Sequence, residues 1–308
     1  MQDSNWQIIP ASAIDEVKWN HCINQSFQPS IYAQSFYLNA LCANWLAFVY
    51  KDYEAVIPVP FKKKWSFQYC YHPPFIQQLG LYAANINEDL LKGINHVIKH
   101  FNYGDLYIPY PQLPKQPNQS KVKAITKDNF ELHVHNGYAF VQQNYSGDLI
   151  RNLEKAQKYN LVLAEDLHPQ VVLEAFYRLY GNTMNLSRQH TNTFLQLLLK
   201  IEMQNKFLVL GVHNTNQRLV SGGIFLMHES RVYNIIHFVN EEGRKQSAGH
   251  FLIDQCIRKI AGNSKIFDFE GSSLPGVQSF YKNFHPKHCP YWHIHINQLP
   301  IPLRWLKQ

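Results

Sequence analysis

The chain has 308 residues, of which 45% are hydrophobic, 17% charged and 14% aromatic, and it carries a formal net charge of +7. That length suits two ordinary cores. The composition excludes disordered, collagenous and coiled-coil chains, and no apolar run approaches the roughly 20 residues a membrane span needs. The excess of 29 Lys and Arg over 22 Asp and Glu suits nucleic acid, a phosphate-rich cofactor or an acidic surface, and equally an ordinary basic enzyme. The opening Met-Gln-Asp-Ser-Asn-Trp is neither a basic leader nor an apolar signal region, so a cytoplasmic protein with no stable membrane insertion is expected. Five cysteines (Cys22, Cys42, Cys70, Cys256, Cys289) without CxxC spacing read as reduced thiols.

In chain order, apolar spacing predicts helices over 12–27 and 35–44, marked by Ile14, Val17, Trp19, Leu38 and Leu41. Strands follow over Trp45–Tyr50 and Glu54–Pro60, with Pro58 and Pro60 implying a sheet edge or bulge. Lys62, Lys63 and Lys64 lead into an aromatic stretch, Trp65 to Tyr71. A helix over 87–101 carries Leu90, Leu91, Ile94, Val97 and Ile98 at helical spacing. Leu106–Pro109 is a short strand, 111–119 a proline-rich connection, and Phe130–His135 alternates as a strand. A boundary near 142–148 divides the chain into 1–143 and 144–308. Asp148 is read as the cap of the next helix, whose other face carries Arg151, Lys155 and Lys158. Helices at 169 onward and 191–204 precede strands at 207–213, 219–228 and 231–240, with turns at 214–217 and 229–230. A helix over 248–261, a strand over 265–270 and a helix over 275–284 complete an α/β chain.

The junction between strand 231–240 and helix 250–261 is the first chemical signal. Arg244, Lys245, Gln246, Ser247, Ala248 and Gly249 lead into a helix start, whose unpaired N–H groups and dipole favour an anion. Gly249 permits close approach of a phosphate, and Arg244 and Lys245 add charge. Any strand–helix junction also accepts glycine and polar residues.

Gln246-Ser-Ala-Gly249-His-Phe251 resembles the Gln/Arg-x-x-Gly-x-Gly/Ala pyrophosphate loop of the GNAT acyltransferases, with Phe251 where Gly or Ala is usual. Residues Gly276 to His285 resemble the closing helix of that superfamily and the Phe-Lys-x-x-Phe-Gly segment of the Fem-type aminoacyltransferases, with His285 in place of the glycine. Tyr145-Ser146-x-x-Leu149-Ile150-Arg151-Asn152-Leu153-x-Lys155-Ala156 is similar to the Arg-Asn-x-x-Lys-Ala helix of the same enzymes, and Asp268-Phe269-Glu270-Gly271-Ser272 to their strand-end Asp-x-x-Gly. The resemblance implies two tandem GNAT-like domains, each a mixed, mainly antiparallel sheet flanked by helices. It implies N-acyl or aminoacyl transfer from acyl-CoA or aminoacyl-tRNA to a small-molecule or peptide amine, with tRNA as a possible partner.

Such a transfer needs a neutral amine, a stabilised oxyanion and an acid for the leaving group. Splayed strand 236–240 offers a backbone N–H to the carbonyl oxygen. Tyr281 is the candidate acid, or a packing aromatic. Glu270 is the candidate acceptor of the amine proton, directly or through water, or else a helix-cap partner or surface group. Arg151 and Lys155, at i,i+4 spacing, read as phosphate ligands or a solvated face. His237 reads as an acyl-site residue or a buried strand histidine.

A metal reading of His285, His288, Cys289, His293 and His295, or of His133 and His135, lacks CxxC, HxxxH or HExxH spacing, so no metal is expected. Lys62–Lys64 with Trp65, Phe67, Tyr69 and Tyr71 match a single-strand nucleic-acid platform or a lysine-guarded edge. The alternatives to transfer are therefore a non-catalytic Fem-like scaffold for a phosphorylated ligand and an RNA-binding module.

Overall fold

The computed structural model describes residues 5–64, 67–110, 112, 121–165, 167–202, 206–264, 266–271 and 275–304. Trp65, Lys265, Ser272 and the proline-rich connection apart from Gln112 lie outside these. The chain begins with β1 (Trp6–Pro10), α1 (Glu16–Gln25), α2 (Ser35–Leu41), β2 (Trp45–Tyr50), β3 (Ala55–Lys64), β4 (Phe67–Cys70), β5 (Tyr82–Ala83), α3 (Glu88–His100), β6 (Tyr103–Pro109) and β7 (Val122–Lys127). It continues with β8 (Phe130–His133), α4 (Tyr138–Gln142), α5 (Gly147–Lys158), β9 (Val162–Ala164), α6 (Pro169–Tyr180), α7 (Arg188–Ile201), β10 (Phe207–His213), β11 (Leu219–His228) and β12 (Arg231–Val239). The last elements are α8 (Glu241–Lys245), α9 (Ala248–Ile260), β13 (Ile266–Asp268), α10 (Pro275–Lys282), β14 (Lys287–His288) and β15 (Tyr291–Asn297).

Two units result, one formed by Met1–Lys127 with Pro290–Gln308 and the other by Asp128–Cys289. This corrects the division at 143/144. The reason is strand pairing. β8 pairs with β13, setting Leu132 opposite Phe267, and its Phe130 and Leu132 enter the second core. β15 lies between β6 and β7 in the first sheet, and its Ile294 and Ile296 enter the first core. At the crossover Lys127 stands opposite Tyr291, while the Cys289 N–H donates to the Asn129 carbonyl at 2.8 Å.

In the first unit the strand order is β1-β2-β3-β4-β6-β15-β7, with β5 on β3. Pro58 and Pro60 face Ala47 and Trp45 of β2. On the other side of β3 they fall between its pairings with β5 and β4, where a missing N–H costs no ladder bond. In α3, the Asn87 side chain accepts from the Leu90 N–H, and Leu90, Ile94, Val97 and Ile98 are buried. The helix expected over 12–27 is shorter, because Asp15 caps it by accepting from Val17 and Lys18. Trp19 is fully buried while Val17 is 80% exposed.

In the second unit the order is β14-β8-β13-β12-β11-β10-β9, all antiparallel except β12 with β13. The hairpin turns fall where expected: Asn214 Oδ1 accepts from the Asn216 and Arg218 N–H groups, and Glu229 takes the left-handed conformation. α6 and α9 both pack on β10–β12. A Cβ on Gly222 would come within 3.3 Å of Val172 of α6, so the neighbouring Gly223 belongs to the face toward α9. The cap of α5 is Ser146, which accepts from the Leu149 N–H at 3.1 Å, and not Asp148. Asp148 instead supplies first-turn negative charge.

Candidate active site

β12 is the element that organises the polar groups of the second unit. Ile224 pairs with Ile236, but Phe225 pairs with Asn234, so Ile235 is an extra residue. This bulge reverses the alternation of side chains beyond it. Asn234 and His237, three positions apart, therefore share one face with their cross-strand partners Phe225 and Gly223. The parallel pairing with β13 stops at Tyr233 and Asp268. The segment from Asn234 onward thus parts from β13, as the expected splay requires.

Two helices meet that face. α9 brings Gly249, where a Cβ would lie 2.7 Å from Val239 Cγ2 and 3.4 Å from His237 Nε2. α9 also brings His250, and α10 brings Phe280. The Phe280 ring lies 5.6 Å from the His237 ring and 4.6 Å from the His250 ring, centre to centre. Tyr281, from α10, is buried and packs 4.8 Å from Phe269. Burial foremost, then the charges of Glu270 and Asp268, push the Tyr281 phenol well above its ordinary range, with the nearby Asn234 amide opposing. Tyr281 therefore stays protonated at neutral pH, the state an acid needs. Burial, with the neighbouring His250, lowers His237 to about 4, and burial lowers His250 to about 4. Both imidazoles are neutral at pH 7. Among the described residues, His237 Nε2 is buried without a hydrogen-bond partner, and the buried Asn234 amide makes no bond of ordinary geometry.

Glu270 sits at the end of β13 in the left-handed conformation, φ 63°, followed by Gly271 at φ 41°. Asp268 Oδ1 accepts from the Glu270 N–H at 3.0 Å and from Asn129 Nδ2 at 3.2 Å. Arg231 Nη1 donates to Asp268 Oδ2 at 2.6 Å and Glu131 Oε1 at 2.7 Å. This buried network anchors the strand end that presents Glu270. Burial raises the Asp268 carboxyl, against the attraction of Arg231.

The turn into α9 is itself partly helical. Residues 241–245 form the short helix α8, capped by Asn240, whose Oδ1 accepts from the Gly243 N–H at 2.7 Å. Ser247 then adopts φ 60° and makes no side-chain cap to α9. Its hydroxyl donates instead to Asn152 Oδ1 at 2.7 Å. Among the described residues no side chain caps the first-turn N–H groups of α9, as an anion site requires. Ala248 and Gly249 are buried, and Gly249 serves helix-on-strand packing. Arg244 donates to the Tyr180 hydroxyl at 3.2 Å and remains exposed. Lys245 pairs with Glu241 at 3.0 Å, both exposed. With Glu241 and Glu242 beside them, the two cations give the turn less positive charge than the basic pair alone implies. Gln246 Oε1 is buried and has no partner among the described residues.

On α5, Arg151 pairs with Asp148 at the surface, and Lys155 is exposed. It is Asn152 that reaches the turn. Its only mark in the sequence was its place in the Arg-Asn-x-x-Lys-Ala segment. Phe251 lines a cleft of about 510 Å³ between α5 and α9, beside Tyr138, Tyr145, Asp254 and Arg258. There Asp254 Oδ1 accepts from the Tyr138 and Tyr145 hydroxyls at 2.7 and 3.1 Å. Asn234 and the bulge were missed by the sequence reading, because register is set by the partner strand.

Among the described residues no three metal-ligating side chains converge. The histidine run divides between the units: His288 Nε2 is bonded to Asp128 at 2.7 Å, whereas His293 and His295 share Asp105 Oδ1 at 2.8 and 2.9 Å. No helix among the described residues is long and apolar enough to cross a membrane.

Residues 145–282 match the family model described as Acetyltransferase (GNAT) domain. No curated protein matches the sequence. Among solved structures, the chain is similar to FemX, with a TM-score of 0.66 at 10% identity over 98% of this chain and 99% of that one. It is also similar to the C-terminal domain of a putative lysylphosphatidylglycerol synthetase from Agrobacterium fabrum (TM-score 0.57, 12% identity, 95% and 94% covered). A tandem GNAT protein from the clavulanic acid biosynthesis pathway gives a TM-score of 0.53 at 9% identity over 94% and 97%. The chain has the tandem-GNAT fold expected from its motifs, shared with FemX, and residues 145–282 of its second unit match the GNAT acetyltransferase domain model.

Proposed function

We propose that the protein transfers an acyl or aminoacyl group from acyl-CoA or aminoacyl-tRNA to the amine of a small molecule or peptide, with the donor on the second unit. The observation that carries this reading is the parting of β12 from β13 beside the uncapped start of α9, with a protonated Tyr281 on the adjoining helix. Donor phosphates take the first-turn N–H groups of α9, with Arg244, Lys245, Gln246 and Ser247 around them. The donor carbonyl lies along the bulged strand, and Tyr281 protonates the leaving sulfur or ribose oxygen. Transfer is direct, within a ternary complex and without a covalent enzyme intermediate. Arg151 and Lys155 are reserved for outer phosphates of donor or acceptor. The five unpaired thiols fit a reducing compartment such as the cytoplasm.

Thermal unfolding with acetyl-CoA, longer acyl-CoAs and charged tRNA tests the reading, since a ligand of the native state raises the melting point. One donor should stabilise the protein, and Gly249→Glu should abolish that effect. No shift with any donor would leave the non-catalytic scaffold. Tyr281→Phe should lower turnover with little change in donor affinity; unchanged turnover clears the tyrosine. A second reading is favoured by the first unit, where Lys62 Nζ lies 4.4 Å from the Tyr71 ring centre beside exposed Lys63 and Lys64. Salt-sensitive RNA binding without any effect of thioesters would support it.

A further inference from the structure

The polar groups on the α9 face of β12 are not equivalent. Tyr281 is held protonated and suits a proton donor. Glu270 contributes negative charge beside Tyr281, which keeps that phenol protonated. His237 is different: it is a neutral imidazole with one ring nitrogen buried and unpartnered. An orphaned buried polar atom is costly, and in native structures such atoms call for an explanation such as a catalytic role. Among the described residues packed against His237, none supplies a hydrogen-bond partner to Nε2. β11 presents Gly223 across the ladder, α9 presents Gly249 and His250, and α10 presents the apolar ring of Phe280, tilted 32° to the imidazole. His250 is the titratable group acting on it. The bulge at Ile235 is what turns His237 toward this space.

We propose that His237 accepts the proton of the attacking amine. This rests on the acyl-transfer reading above and departs from the sequence expectation that Glu270 takes that proton. The amine nitrogen forms a bond to the donor carbonyl carbon, and its proton passes to Nε2 of His237. Collapse of the tetrahedral intermediate breaks the C–S bond of a thioester or the C–O bond of a ribose ester. The departing atom takes the Tyr281 hydroxyl proton, and the proton held by His237 restores the tyrosine. A neutral imidazole is available as base across the physiological range, and it adds no charge that would repel an anionic donor.

The test uses the full chain, the donor that stabilises the wild type, and amines that the wild type modifies, drawn from amino acids, amino sugars and lysine peptides. His237→Ala should lower kcat by about 10²–10⁴-fold, the range for general base catalysis, while the thermal shift by donor persists. Added imidazole should restore part of the lost rate, which a structural role would not allow. His237→Gln should show a rate that climbs with pH as free amine accumulates. Transfer by wild type with less than about threefold loss in both variants, or loss without imidazole rescue, overturns the assignment and leaves acyl transfer standing. Absence of transfer and of donor stabilisation in the wild type removes both.

Discussion

The two ends of β12 treat buried polar groups in opposite ways. At its start, Arg231 is enclosed with Glu131 and Asp268, and every member of that network has bonds to its neighbours. On either side of the bulge, the Asn234 amide and His237 Nε2 are shielded from water yet, among the described residues, incompletely bonded. Both ends belong to one strand and one core. A satisfied network specifies structure, whereas an unsatisfied one is kept at a cost that a bound reactant can offset.

The comparison is broken most directly at Arg231. Arg231→Met should cost about 3–5 kcal/mol, because it strands two buried carboxylates. Urea unfolding would measure it, and a change below about 1 kcal/mol would show that the network is not structural. Acid should act next. His72, His228, His237 and His250 are each lowered to about 4, burial being the first cause, against an unfolded value of about 6.5. Between those values the unfolded chain holds more protons, so stability is complete above about pH 6.5 and falls as pH drops toward 4. Unfolding midpoints from pH 7 to 5 should decline, and His237→Gln should flatten that decline. Gly249→Ala should cost about 1–3 kcal/mol through overpacking against Val239 and His237, and should weaken donor binding. The smallest effect belongs to the surface: Lys245→Ala, which breaks only the exposed pair with Glu241, should leave the unfolding midpoint unchanged while modestly reducing donor affinity at low salt.

Local features were legible where local physics decides them. The amphipathic spacing of α3, the Asn214 turn and the alternation of β10–β12 all follow from near neighbours in sequence. Pairings between distant segments were not. Phe130–His133 reads as a strand but carries no sign that its partner is 266–268, and Tyr291–Asn297 gives none that it belongs with 103–109. The site divides in the same way. Tyr281, Glu270 and the 244–249 turn were visible as motif positions. Asn234, the bulge and the meeting of Ser247 with Asn152 arise only when strands and helices are aligned. The left-handed Ser247 was hidden for a further reason: nothing in a serine announces a conformation that glycine and asparagine prefer.

The position of β15 between β6 and β7 has a consequence for biosynthesis. A ribosome delivers β6 and β7 long before the strand that must lie between them, and the entire second unit emerges in the interval. The amino-terminal sheet must wait open-edged for its last ladder, so the intervening unit can mature first. Since Lys127 and Tyr291 face each other across one rung, a tight Asn-Gly connection could replace everything between them and turn a late closure into a local hairpin.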